Sequence, residues 1–262
     1  VIDTHCHLDR PEFDADRGEV LARARVAGVS DVVLPAIGPD GWDGLLALCR
    51  STPGLHAALG VHPQLLPDLD PRDDDRRLAA LEAALARGGV VAVGECGLDG
   101  EAVARGATLE RQVRVLEGHL ALAARFGLPV VLHGLRAVEP LRAVLERAGL
   151  PAGGVFHSYS GSAAQVEPFV RLGLHVALGG PVTYDRARKP LEAARAIPPE
   201  RLLLETDAPD QTPRPHRGRN EPAFLALVRD GMARALGLTA AEVDARTSAN
   251  ARALFRLAPP GP

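Results

Sequence analysis

The sequence predicts an α/β protein, a (β/α)8 or TIM barrel. Three observations predict it. Short apolar runs alternate with stretches of helical periodicity along the chain, the mark of successive βα units. The runs are nearly continuous in Val, Leu and Ala, as strands buried on both faces require. Ionisable residues recur at the carboxyl ends of these runs, the face on which such barrels build their sites.

The expected strands are 1–7 (VIDTHCH), 29–37 (VSDVVLPAI), 55–61 (LHAALGV), 90–97 (VVAVGECG), 128–133 (LPVVLH), 153–158 (GGVFHS), 174–180 (LHVALGG) and 202–207 (LLLETD). Helical patterns cover 14–27, 72–87, 108–126, 136–148, 162–172 and 220–236, and Trp42 opens the second helix as a packing residue. Gly28, Gly127, Gly149 and Gly173 end helical runs just before strands, where a left-handed cap is expected. A doubly wound open sheet is the competing topology, but no GxGxxG follows the first strand. The 262 residues, 46% hydrophobic, suit one barrel domain over 1–258 with a frayed tail at 259–262.

Composition excludes several classes. No stretch reaches the roughly 20 apolar residues of a membrane span, so no membrane partner and a cytoplasmic location are expected. Cys6, Cys49 and Cys96 form no CxxC pair and suit a reducing compartment, with Cys96 as a small buried hydrophobe. The net charge of −3 argues against broad wrapping of nucleic acid and confines any such contact to one face. No obligate protein partner is evident.

His5 and His7 are two apart in a strand, so both project from one face and can chelate one ion while Cys6 points away. Asp3 shares their parity and is expected to support His5 from behind. Glu95, His133, His157 and Asp207 each fall at the end of a different expected strand. A pair of divalent ions needs a shared anionic ligand. The only lysine, Lys189, sits before Pro190 in a segment unsuited to a carboxylated bridge, so Glu95 is the natural one. The expected arrangement is His5, His7 and Asp207 on one ion, His133 and His157 on the other, and Glu95 spanning both, with Glu95 and Asp207 as catalytic groups. Nitrogen and oxygen donors without thiolate suit magnesium, manganese or zinc. Glu205 has the parity of Asp207 and is expected to hold an extra metal or to back the first one.

The ordered set DTHCHLD, GVHP, GECGLD, HSYSG, LETDAP, NEP at 220–222 and ANARALF resembles the TatD-type metal-dependent deoxyribonucleases from residue 1 to about 256. That resemblance implies a barrel of the metal-dependent hydrolase type, two divalent ions on these six residues, and hydrolysis of phosphodiester bonds in DNA. Two departures border the substrate. After the fifth strand the family reads His-Ser/Cys-Arg-Asp/Glu-Ala, where this chain has His133, Gly134, Leu135, Arg136 and Ala137; and Asp99 is followed by Gly100 instead of an aromatic.

For substrate contact, the loop after the eighth strand offers Arg214, His216, Arg217 and Arg219, with Arg217 and Arg219 the expected phosphate contacts. His62 is expected at a phosphate or leaving group, or as a cap, and Asp99 at a substrate hydroxyl or a bound water. Tyr159 and Tyr184 are candidate base-stacking groups. The leading expectation is an exonuclease acting on single-stranded DNA or strand ends. The alternatives are an amidohydrolase-like enzyme hydrolysing a small-molecule ester, lactone or acyl-nucleotide bond, and a non-catalytic binding protein.

Overall fold

The structure, a computed structural model, describes residues 1–259. Of the expected frayed tail, residues 260–262 lie outside the described residues. Eight parallel strands follow one another around a nearly closed barrel in chain order: β1 (Ile2–Asp3), β2 (Asp31–Pro35), β3 (Leu55–Leu59), β4 (Val90–Asp99), β5 (Val130–Leu135), β6 (Gly154–Phe156), β7 (Leu174–Leu178) and β8 (Leu202–Leu204). The helices are α1 (Arg17–Val26), α2 (Trp42–Ser51), α3 (Asp74–Ala86), α4 (Gly100–Ala104), α5 (Leu109–Phe126), α6 (Val138–Ala148), α7 (Val166–Arg171), α8 (Arg188–Ala196), α9 (Leu225–Leu236) and α10 (Ala240–Phe255).

All eight expected strands are present, but several are shorter at their carboxyl ends. His5, His7, His157 and Asp207 therefore lie just beyond their strands and not inside them. The ladder stops where the backbone turns its polar groups toward the loops. At the seam between β8 and β1, loop backbone takes over: Thr4 N–H donates to the Leu204 carbonyl at 3.0 Å, Asp207 N–H to His5 at 2.8 Å, and His7 N–H to Ala208 at 2.8 Å. A lone parallel bridge joins Cys6 to Ala208, which keeps His5 and His7 on one side and buries Cys6 on the other. Asp3 strengthens this seam, accepting from Thr206 N–H at 2.9 Å and from the Thr206 hydroxyl at 2.6 Å. Its support for His5 reaches only the backbone amide, at 3.3 Å.

Each strand gives one side chain to the barrel interior: Ile2, Val33, Ala58, Ala92, Val131, Val155, Ala177 and Leu203. Helix α10 closes this layer with Ala251, Leu254 and Phe255. Alternating residues such as Val32, Leu34, Leu59 and Leu132 face the surrounding helices. The period of two then carries the interior from hydrocarbon to chemistry, because His133 is two residues after Val131, His157 two after Val155 and Glu205 two after Leu203.

Glu95 is three residues after Ala92, and the parity is corrected by a register shift between Val93 and Cys96 against β5. Two glycines permit it. Gly94 and Gly97 have φ of +147° and +150°, and a Cβ on Gly97 would overlap the His133 carbonyl oxygen. Gly97→Ala is therefore expected to destabilise the fold by about 3 kcal/mol, combining a disallowed φ with backbone overlap. Chemical denaturation of the two proteins checks this; an unchanged midpoint would show that β4 can relax without Gly97.

Candidate metal centre

Glu95 lies at the middle of the carboxyl-end opening of the barrel, 1% exposed, and its two oxygens face different partners. Oε2 is 3.1 Å from His5 Nε2 and 3.7 Å from His7 Nε2. Asp207 Oδ1 stands 3.7 Å from each of these nitrogens, and the two nitrogens are 3.2 Å apart. Oε1 is 2.9 Å from His157 Nε2, 3.1 Å from His133 Nδ1 and 2.9 Å from His62 Nε2. The six residues singled out from sequence are thus brought to one point, and His62 joins them.

The donor set fits cations. Among the described residues, Glu95 Oε2 is a buried carboxylate oxygen with no hydrogen-bond partner, a costly state unless a cation completes it. His7 Nδ1 sits 3.1 Å from the Pro35 carbonyl, which fixes its proton there and leaves the Nε2 lone pair facing His5, Glu95 and Asp207. His133 Nε2 sits 2.8 Å from Asp99 Oδ2, so its Nδ1 lone pair faces Glu95 in the carboxylate–imidazole–metal pattern. His62 has the same tautomer as His133 but turns its other nitrogen to the centre: its Nδ1 accepts from Gln64 N–H at 3.1 Å, so its Nε2–H donates to Glu95. His62 is arranged as a hydrogen-bond donor as well as the cap of the turn that follows it.

Charge states follow from burial and neighbours. Burial lowers His7 to about 4 and His5 well below its ordinary value, keeping both imidazoles neutral and able to ligate. Burial alone would raise Glu95, but His62, His157 and His5 outweigh it and hold the carboxylate ionised. Burial pushes Asp207 up to about 7, against the attraction of His157. For His157 the desolvation that would lower it is overcome by Glu95 and Glu205.

The other sequence candidates separate clearly. Glu205 is fully buried; it accepts the Ser158 N–H at 2.5 Å and lies 3.5 Å from His157 Nδ1, on the side of that ring away from Glu95. Asp99 caps α4 through Glu101 N–H at 2.6 Å and Ala102 N–H at 3.0 Å, and its second oxygen takes His133 and the Gln64 amide. Arg219 points away from the centre into a two-pronged pair with Asp16 at 2.6 and 2.8 Å, over the Phe13 ring. Arg217 is exposed and does not line the cleft. His216 stacks on Phe224 with centroids 3.9 Å apart. Tyr159 is buried against Phe156 and Phe169, while Tyr184 stays exposed. Trp42 and Cys96 are buried as packing residues.

A cleft of about 520 Å³ opens above the centre, and two arginines not singled out from the sequence, Arg10 and Arg105, line it. Gln211, also on its wall, donates to the second oxygen of Asp207. No local pattern marks these residues, since each reaches the cleft from a loop whose path is set by tertiary contacts.

Comparison with known proteins places this geometry. The family described as TatD related DNase matches residues 2–256. The chain is 42% identical over 230 residues to the uncharacterized metal-dependent hydrolase YjjV of Escherichia coli, covering 87% of this chain and 86% of that one. It is 38% identical over 270 residues to the 3'-5' ssDNA/RNA exonuclease TatD of Edwardsiella piscicida, covering 98% and 100%. The crystal structure of the Escherichia coli YjjV protein superposes with a TM-score of 0.90 at 39% identity over 98% of both chains. With the family matched over almost its whole length and its barrel shared, this chain belongs to the TatD related DNase family and is a metal-dependent hydrolase of that family.

Proposed function

We propose that the chain is an exonuclease that hydrolyses phosphodiester bonds in DNA, acting on single strands or strand ends with two divalent ions. The observation that supports it best is the division of Glu95: one oxygen faces His5, His7 and Asp207, the other His133 and His157. In this assignment those residues hold the two ions, of the magnesium, manganese or zinc type. Such ions, when bound, supply Lewis-acid polarisation of a phosphodiester and a water of lowered pKa.

The residues of the chain do the rest. Asp207 is placed at the cleft to accept the proton of an attacking water, and Gln211 holds its other oxygen in place. Asp99 positions His133, and Glu205 faces His157 from the side opposite Glu95. His62 lines the cleft and donates its Nε2–H to Glu95, which orients that carboxylate. The 3'-5' ssDNA/RNA exonuclease named among the relatives favours nucleic acid over the small ester, lactone or acyl-nucleotide alternative, which no observation on this chain supports.

Glu95→Ala is expected to abolish hydrolysis of end-labelled DNA and to weaken both ions, whereas His133→Ala keeps the ion held by His5, His7 and Asp207. Metal content after dialysis distinguishes the two, and a Glu95→Ala protein that retains two ions would refute the shared role. Asp99→Ala, which frees the His133 ring, is expected to weaken one ion by about 10–100-fold and spare the other. Titration against a chromophoric chelator measures this, and equal weakening of both ions would contradict it.

A further inference from the structure

The cleft has an arginine on each side of the Glu95 axis. Arg10 belongs to the first loop, and its Nη1 lies 3.5 Å from Asp210, whose backbone N–H binds Asp207. It therefore stands beside the His5, His7 and Asp207 group. Arg105, at the end of α4, donates to the Gln64 carbonyl at 3.0 Å, and the Gln64 amide donates to Asp99, the partner of His133. It therefore stands beside the His62, His133 and Asp99 group.

Both guanidinium groups are anchored without being used up. Arg10 holds Glu12 at 2.8 Å, and Arg105 holds Asp68 at 2.7 Å; the two heads remain 36% and 50% exposed. A guanidinium carries five N–H donors, and exposed ion pairs of this kind contribute little, so both heads can take a phosphate. The arginines of the 214–219 loop offer no equivalent: Arg219 is committed to Asp16, and Arg217 lies off the cleft.

We infer that Arg10 and Arg105 bind the phosphates flanking the scissile one. The strand then runs from the loops after β8 and β1 to the loops after β3 and β4, across both oxygens of Glu95. This rests on the nuclease assignment and extends it to specificity. A scissile phosphodiester with a phosphate on each side fits the cleft better than one with hydroxyl ends, so a strand end carrying a terminal phosphate is preferred to the same end carrying a hydroxyl.

Three thymidine dinucleotides test it: TpT, with only the scissile phosphate; pTpT, with one added on the 5' side; and TpTp, with one added on the 3' side. In the metal-loaded wild type, each added phosphate is expected to raise kcat/KM over TpT about tenfold, the effect of one charge-assisted contact. Arg10→Ala should bring one of the two ratios to about one and Arg105→Ala the other, with partial recovery in Arg10→Lys and Arg105→Lys. Arg171→Ala, on the outside of α7, should keep both ratios. Wild-type hydrolysis with no gain from either added phosphate overturns the inference alone, as does an arginine variant that lowers all three substrates equally. A wild type inert on these dinucleotides and on a 20-residue single strand overturns the nuclease assignment, and the inference with it.

Discussion

Everything at the centre depends on a carboxylate kept ionised where water cannot reach it. An isolated buried carboxylate is strongly disfavoured, and Glu95 is tolerable because imidazoles surround both oxygens. That requirement sets the local backbone. The register shift of β4 turns Glu95 inward, and the glycines on either side of the Glu95–Cys96 pair let neighbouring strands approach closely enough to bring His62, His133 and His157 to one oxygen.

Around that carboxylate a second set of contacts holds the histidine rings. His7 is set by the Pro35 carbonyl, His133 by Asp99, and His62 by Gln64. Helix α5 anchors two of these loops from outside. The Gln112 side chain bridges the Asp99 N–H at 2.7 Å and its carbonyl at 3.0 Å, while His119 accepts the Val61 N–H at 3.0 Å. Both are fully buried. The loops that carry His62 and the Asp99 partner of His133 are thereby tied to a long helix.

Charge is distributed to match. The protein is acidic overall, and its many arginines are spent largely in ion pairs, some at the surface, such as Arg171 with Glu167, and some largely buried, such as Arg111 with Asp74. Arg219 ties the loop after β8 to the segment just before α1, away from the cleft. Arg10 and Arg105 bring cationic heads to the cleft itself, so electrostatic attraction for an anion is local, as a net charge of −3 requires.

The amino-acid sequence by itself determined the barrel and the residues that meet at its centre, because both rest on short-range rules. Near-continuous apolar runs specify buried parallel strands, and a period of two puts His133 and His157 above Val131 and Val155. Strand lengths were less legible: β1 and β8 stop early, and loop backbone carries the ladder past His5 and Asp207 through contacts some two hundred residues apart in the chain. Only the tertiary structure decided the direction of each long side chain. Arg219 and Arg10 are both loop arginines after a strand, yet the first meets Asp16, just before α1, and the second meets Asp210 at the cleft. His62 was ambiguous for the same reason. Its tautomer depends on Gln64, and its partner is Glu95 on another strand, so proximity in space, which no local spacing encodes, assigned its hydrogen bonds.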